Sequence, residues 1–180
     1  MSALPAAGAA ACPWSALSAD GAGLELEQFL SFHVVRLAHV LQRVSMRSYL
    51  EPHGLTIPDW RTLAFVQRYR PVPFAQLAAR TSLDKAQLSR TVRSLRERGL
   101  IVTEGDAAHA QRVVLDITPS GRRLHARILP EAARMQAMLL STLPAAERKV
   151  LWRALHTLQV HAHAAAARLQ PATATTRKKR

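Results

Sequence analysis

The stretch LDKAQLSRTVRSLRERGL, Leu83 to Leu100, sets five cations, Lys85, Arg90, Arg93, Arg96 and Arg98, against two acids, Asp84 and Glu97. Leu88, Val92 and Leu95 recur at helical spacing and define a buried stripe; Ala86, Arg90, Arg93 and Glu97 then fall on the opposite side, with Gln87 and Ser94 at its edge. These side chains recognise rather than react. Arg pairs with guanine in bidentate fashion, Gln does the same with adenine, and Ala leaves room for a thymine methyl, each good pair discriminating by about 1–3 kcal/mol. Lys85, Gln87, Ser89, Arg90 and Arg93, with Ala86 between them, form the candidate reading set. Bond-making chemistry has no comparable support. There is no phosphate-cradling glycine loop, Ser/His/Asp set or metal-ligand spacing, and His161 and His163 lie two apart, which on a helix turns them about 200° from each other. The sequence therefore predicts no enzyme, no cofactor and no metal site.

The bulk numbers agree with a polyanionic partner. A net charge of +13 and an isoelectric point near 11.5 draw nucleic acid by counterion release. A membrane is not expected, because neither terminus carries a basic helix with a bulky apolar face and no uninterrupted apolar run is long enough to span one. The single cysteine, Cys12, forms no internal disulfide, which fits a reducing, cytoplasmic setting. The Ala-rich start lacks the positive charge and Leu-rich centre of an export signal.

The elements that must carry the reading set follow from periodicity and punctuation. Residues 1–23 are small, Ala-rich and broken by Pro and Gly, and are expected to form a disordered arm. From Leu24 a helix carries Leu30, Val34, Leu37, Leu41 and Val44 on one face and stops near Glu51, before Pro52 and Gly54. A second helix starts after Thr56, with Pro58 in its first turn, and runs to about Tyr69; Pro71 and Pro73 end that segment. A short helix from Phe74 to Arg80, a turn at Thr81 and Ser82, and a longer helix from about Leu83 to Arg98 make a helix-turn-helix, with Gly99 as terminator. The β-branched runs Leu100 to Thr103 and Arg112 to Ile117 then read as a hairpin around the polar loop Glu104 to Gln111. Thr118 and Pro119 open a long helix that Pro130 should bend. Pro144 opens a last one, expected to decay into the alanine tract before Pro171. The fold class is mainly α with a small β-hairpin wing: a winged helix-turn-helix, about 56–118, flanked by long helices at about 24–51 and 118–168. Together, 24–168 form one domain and 169–180 a disordered basic tail.

GLTIPDWRTL, LAARTSLDKAQLSRTVRSLRERGLI and VVLDITPSGRRL resemble, in order, the second-helix opening, the recognition segment and the wing strand of the MarR (multiple antibiotic resistance regulator) winged-helix transcription regulators. The resemblance spans about Phe29 to Leu158. It implies an obligate homodimer with interleaved flanking helices, binding to a pseudo-palindromic DNA operator and, in many members, release by a small ligand. The wing departs from the family pattern of Asp followed by two basic residues: His109, Ala110 and Gln111 stand at those places, and Arg112, one step later, is the candidate wing contact.

Trp60, with His33 and Arg47 at the edges of the first helix's apolar stripe, is the candidate wall of an effector site, since an aromatic acid needs a ring to stack on and a cation for its carboxylate. The leading expectation is a dimeric repressor released by such a ligand. The competing one is an architectural protein that coats DNA by charge alone.

Overall fold

The computed structural model describes residues 12–81, 83–105 and 113–169, and the chain forms two compact units that divide after Glu131. Among the described residues no helix is long and apolar enough to cross a membrane.

In the first unit, a 3-10 turn at Leu26–Gln28 leads into helix α1, Leu30–Ser45. The helical path continues through a π turn, Met46–Leu50, and a 3-10 turn, Glu51–His53, and ends where Gly54 adopts the left-handed conformation at φ 61°. Helix α2, Ile57–Tyr69, begins on a reciprocal cap. The Asp59 backbone N–H donates to Thr56 Oγ1 at 3.3 Å, and the Thr56 N–H donates to the Asp59 carboxylate at 2.9 Å. Strand β1 is only Val72–Pro73 and precedes helix α3, Phe74–Thr81. Helix α4, Lys85–Glu97, follows, and then strands β2, Ile101–Glu104, and β3, Val114–Ile117.

The sheet has the antiparallel order β1-β3-β2, with Val72 opposite Leu115, Ile101 opposite Ile117 and Thr103 opposite Leu115. The hairpin expected from sequence is there. Its third strand is an addition: Pro71 and Pro73 read only as terminators, yet an edge strand tolerates a proline that lacks a donor. Next to it the Phe74 N–H donates to the Val113 carbonyl at 2.9 Å. Leu50, Leu55, Leu63, Val66, Leu77, Leu88, Leu95, Leu115 and Ile128 are fully buried and form the core under the sheet and helices.

Helix α5, Pro119–Leu140, starts on Thr118, whose hydroxyl accepts from the Gly121 N–H at 3.0 Å and donates to the Gly99 carbonyl at 2.7 Å. Pro130 lies inside that continuous helix. In the second unit, helix α6, Ala145–Leu169, does not decay in the alanine tract but runs through it, as the intrinsic preference of alanine allows. Arg148 closes the turn before it, donating to the Leu143 carbonyl at 2.9 Å.

Two further boundaries differ from expectation. Residues 12–23 form turns rather than a featureless arm. Trp14 supplies the apolar surface that the neighbouring alanines lack: its Nε1 donates to the Gln28 carbonyl at 2.7 Å and its ring meets His33 edge-on at 5.6 Å. Helix α4 begins at Lys85, not Leu83, because the Asp84 side chain accepts from the Gln87 N–H at 2.7 Å and so becomes the cap.

Gly121 is where α5 meets the backbone that leaves α4. A Cβ there would press on the Leu100 carbonyl oxygen and lie 2.7 Å from Ile117 Cγ1. Gly121→Ala should therefore destabilise the protein by about 1–3 kcal/mol, as overpacking against backbone does, seen as a lower urea midpoint with an unchanged slope. A midpoint equal to wild type would show that this junction is not tightly packed.

Candidate nucleic-acid interface

Helix α4 buries Leu88, Thr91, Val92 and Leu95. That stripe fixes the rotation of the helix about its own axis, and the remaining positions face outward. Lys85, Ala86, Ser89, Arg90, Arg93, Arg96 and Glu97 are exposed, and Gln87 is half-buried at the edge. The helix N-terminus is already matched by a negative group, the capping Asp84, which lies beside Lys85.

The exposed residues divide into two lines. Lys85, Ser89, Arg93 and Arg96 line a cleft of about 460 Å³ between α4 and the hairpin, whose far wall includes Thr103, Gly105 and Val113. Ala86, Arg90 and Glu97 stand outside that cleft, on the part of the helix turned away from the hairpin. The first line is a cationic slot between a helix and a β-ribbon. The second is the free ridge of the helix.

The candidate residues of the sequence reading fare differently. Lys85, Ala86, Gln87, Ser89, Arg90 and Arg93 are brought onto one continuous outer surface of α4. Arg96, a cation counted in the segment but not placed in the candidate set, joins them at the cleft; its spacing of three from Arg93 is the signal that could have found it. Arg98 does not belong to the reading face. Its Nη1 donates to the Gly54 carbonyl at 2.8 Å and its Nη2 to the His53 carbonyl at 3.0 Å. Arg112 and the tip of the wing, His109 to Gln111, lie outside the described residues.

Among the described residues, His33, Arg47 and Trp60 have different neighbours. His33 is exposed and packs against Trp14. Arg47 lines a groove of about 520 Å³ with His39, Gln42, Arg43 and Glu51. Trp60 stacks on His125 at 5.2 Å and 20°, with Tyr49 edge-on at 6.5 Å. The sequence period set His33 and Arg47 at the edges of one stripe, but Arg47 falls in the π turn after α1, and a period cannot reveal which element faces each edge. His125, on α5, is the aromatic partner that sequence spacing had no means to supply. Burial lowers the pKa of His125 below the ordinary imidazole value.

Residues 53–112 match the sequence model of the MarR family. The segment covers α2 to α4 and the first wing strand. Over that third of the chain, the winged helix is similar to the MarR family. The relatives agree in kind. Uncharacterized HTH-type transcriptional regulators of Staphylococcus aureus are 22% identical over 92 residues, 51% of this chain and 63% of theirs, so the chain spans just under two thirds of their length. The HTH-type transcriptional repressor NicR of Pseudomonas putida is 25% identical over 116 residues, 64% of this chain and 73% of that protein.

Among solved structures, Staphylococcus aureus MepR in complex with DNA superposes with a TM-score of 0.68 at 19% identity, covering 76% of this chain and 99% of that one. Bordetella bronchiseptica BpsR, whose DNA binding is regulated by 6-hydroxynicotinic acid, gives 0.64 at 21% identity, covering 73% and 99%. These likenesses establish the MarR fold.

The lowered pKa of His125 sets the sign of a pH effect. The unfolded chain takes up a proton at the ordinary imidazole value of about 6.5 while the folded chain resists it, so stability falls as pH drops through that value and levels off below the folded pKa. His125→Gln should lose less stability than wild type between about pH 7.5 and pH 5.5, measured by urea unfolding at both values. Identical losses in the two proteins would show that His125 is not held neutral by its surroundings.

Proposed function

We propose that this MarR-type chain is a homodimeric, sequence-specific regulator of transcription that binds a pseudo-palindromic operator in double-stranded DNA, acting as a repressor released by a small aromatic acid. The observation that carries the reading is the division of α4 into a free ridge with Arg90 and a cationic slot shared with the wing. A major groove admits one helix, and the ridge then faces base edges while Lys85, Arg93 and Arg96 in the slot hold phosphates of the adjoining strand. Arg112, outside the described residues, is kept from the sequence as the candidate wing contact.

Dimerisation is supported by apolar surface that the single chain leaves uncovered. None of the residues of α1 is buried, and Val34 and Leu37 are 49% and 59% exposed; on α6, Trp152 is 67% and Leu155 44% exposed. Faces of that kind mark an interface. A twofold pair would set two copies of α4 about 10–10.5 base pairs apart, one turn of duplex. NicR, a repressor, supports the sign of the output, and the MepR complex supports DNA as the ligand.

An aromatic acid is the effector class that the remaining surfaces fit, and the regulation of BpsR by such an acid supports it. Arg43 and Arg47, beside Glu51 in the α1 groove, offer cations to a carboxylate, and Trp60 with His125 offers a ring surface at a separate place in the chain. His33 serves the packing of Trp14 instead. An acid that reverses a fully bound population must favour the released form by about 5.5 kcal/mol.

Binding of the wild-type and variant proteins to an operator selected from random duplexes separates this reading from charge-driven coating. Arg90→Ala should relax preference at one position of each half-site, at a cost of about 1–3 kcal/mol there. Arg93→Ala or Arg96→Ala should weaken all duplexes alike and reduce the salt slope by about one per half-site. If Arg90→Ala weakens every sequence equally, the protein coats DNA and the reading is wrong.

A further inference from the structure

Arg98 carries charge on the recognition segment, yet its guanidinium is committed elsewhere. Its two terminal nitrogens donate to two successive carbonyls, those of His53 and Gly54, at 3.0 and 2.8 Å. Those carbonyls belong to the turn that ends the helical path out of α1, directly after the buried Tyr49 and Leu50. At the same residue α4 finishes. The Arg98 N–H donates to the Ser94 carbonyl at 3.1 Å, the Gly99 N–H to Arg96 at 2.9 Å and the Leu100 N–H to Leu95 at 2.9 Å.

We propose that Arg98 is a positioning residue which ties the last turn of α4 to the α1–α2 connection and so sets the tilt of the reading face from the α1 side. The inference rests on the proposal that α4 reads DNA. Its physical ground is a difference in kind between two restraints. Packing of Leu88, Val92 and Leu95 fixes rotation of α4 about its axis, but apolar contact is non-directional and leaves tilt soft. A planar fork on two carbonyls is directional and charge-assisted. It lies at the helix C-terminus, where a cation is favoured. The side chain is exposed, so its removal should leave the fold in place while loosening this one joint. Lysine, a point charge, can satisfy one carbonyl but not the fork.

The test uses the full chain with Arg98→Ala and Arg98→Lys. Without DNA, amide exchange across residues 50–57 and 97–100 should accelerate about tenfold or more in the Ala variant and by an intermediate factor in the Lys variant, with α6 unchanged. With DNA, the ratio of affinity for a selected operator to that for random duplex should fall about tenfold in Arg98→Ala, while the slope of affinity against salt stays at its wild-type value. A slope reduced by about one per half-site with the ratio kept would make Arg98 a phosphate contact and overturn the proposal. Unchanged exchange at residues 50–57 would overturn it as well, as would faster exchange with an unchanged ratio. If the wild type itself shows no preference over random duplex, the reading of α4 fails, and with it the positioning of a reading face; exchange then still decides whether Arg98 couples the two segments.

Discussion

The rotation of α4 about its own axis is the constraint on which the interface depends. Four buried positions, Leu88, Thr91, Val92 and Leu95, hold it. A slip of one residue would turn the helix by about 100° and carry an arginine toward the core. Burying a leucine contributes about 1.5–3 kcal/mol, whereas an unpaired buried charge costs several kcal/mol, so both terms select the same rotation. The ridge of Ala86 and Arg90 and the slot of Lys85, Ser89, Arg93 and Arg96 are consequences of that choice. They need no separate specification.

What the rotation leaves open is settled at the backbone from Arg98 to Leu100. Gly99, at φ 66°, lets the chain reverse out of α4. The Leu100 carbonyl then accepts from the Thr118 N–H at 3.1 Å, the Gly99 carbonyl from the Thr118 hydroxyl at 2.7 Å, and Gly121 lets α5 approach the Leu100 carbonyl closely. Arg98 reaches the opposite way, to the connection from α1. Both long helices that enter the first unit are thus fastened to the same three residues at the end of α4. A change in either helix is felt where the reading helix ends.

Much of this was legible in the chain because it is local. The period of Leu88, Val92 and Leu95, the Thr56 cap, Gly99 after α4 and Thr118 before α5 each act within a few residues, and each stands where the spacing puts it. The errors are of two sorts. Some are competitions between local signals: Asp84 caps α4 and shortens it, proline marks β1 although an edge strand accepts it, and alanine extends α6 where small size suggested decay. The others are long-range. Nothing near Trp60 announces His125, and nothing near Arg98 announces the carbonyls of His53 and Gly54, so spacing alone finds neither contact.

The central claim, that the outer face of α4 lies in the major groove, is tested most directly by a cross-linker at position 86 on the ridge. Cys12→Ser frees the chain of its own thiol, and Ala86→Cys carries the probe on the exposed ridge of α4; Arg61→Cys, on the exposed side of α2, serves as the comparison. The account predicts cross-links from position 86 to bases in both half-sites of a selected operator and few from position 61. Equal yields at the two positions, or none from position 86 on a duplex the protein binds, would contradict it.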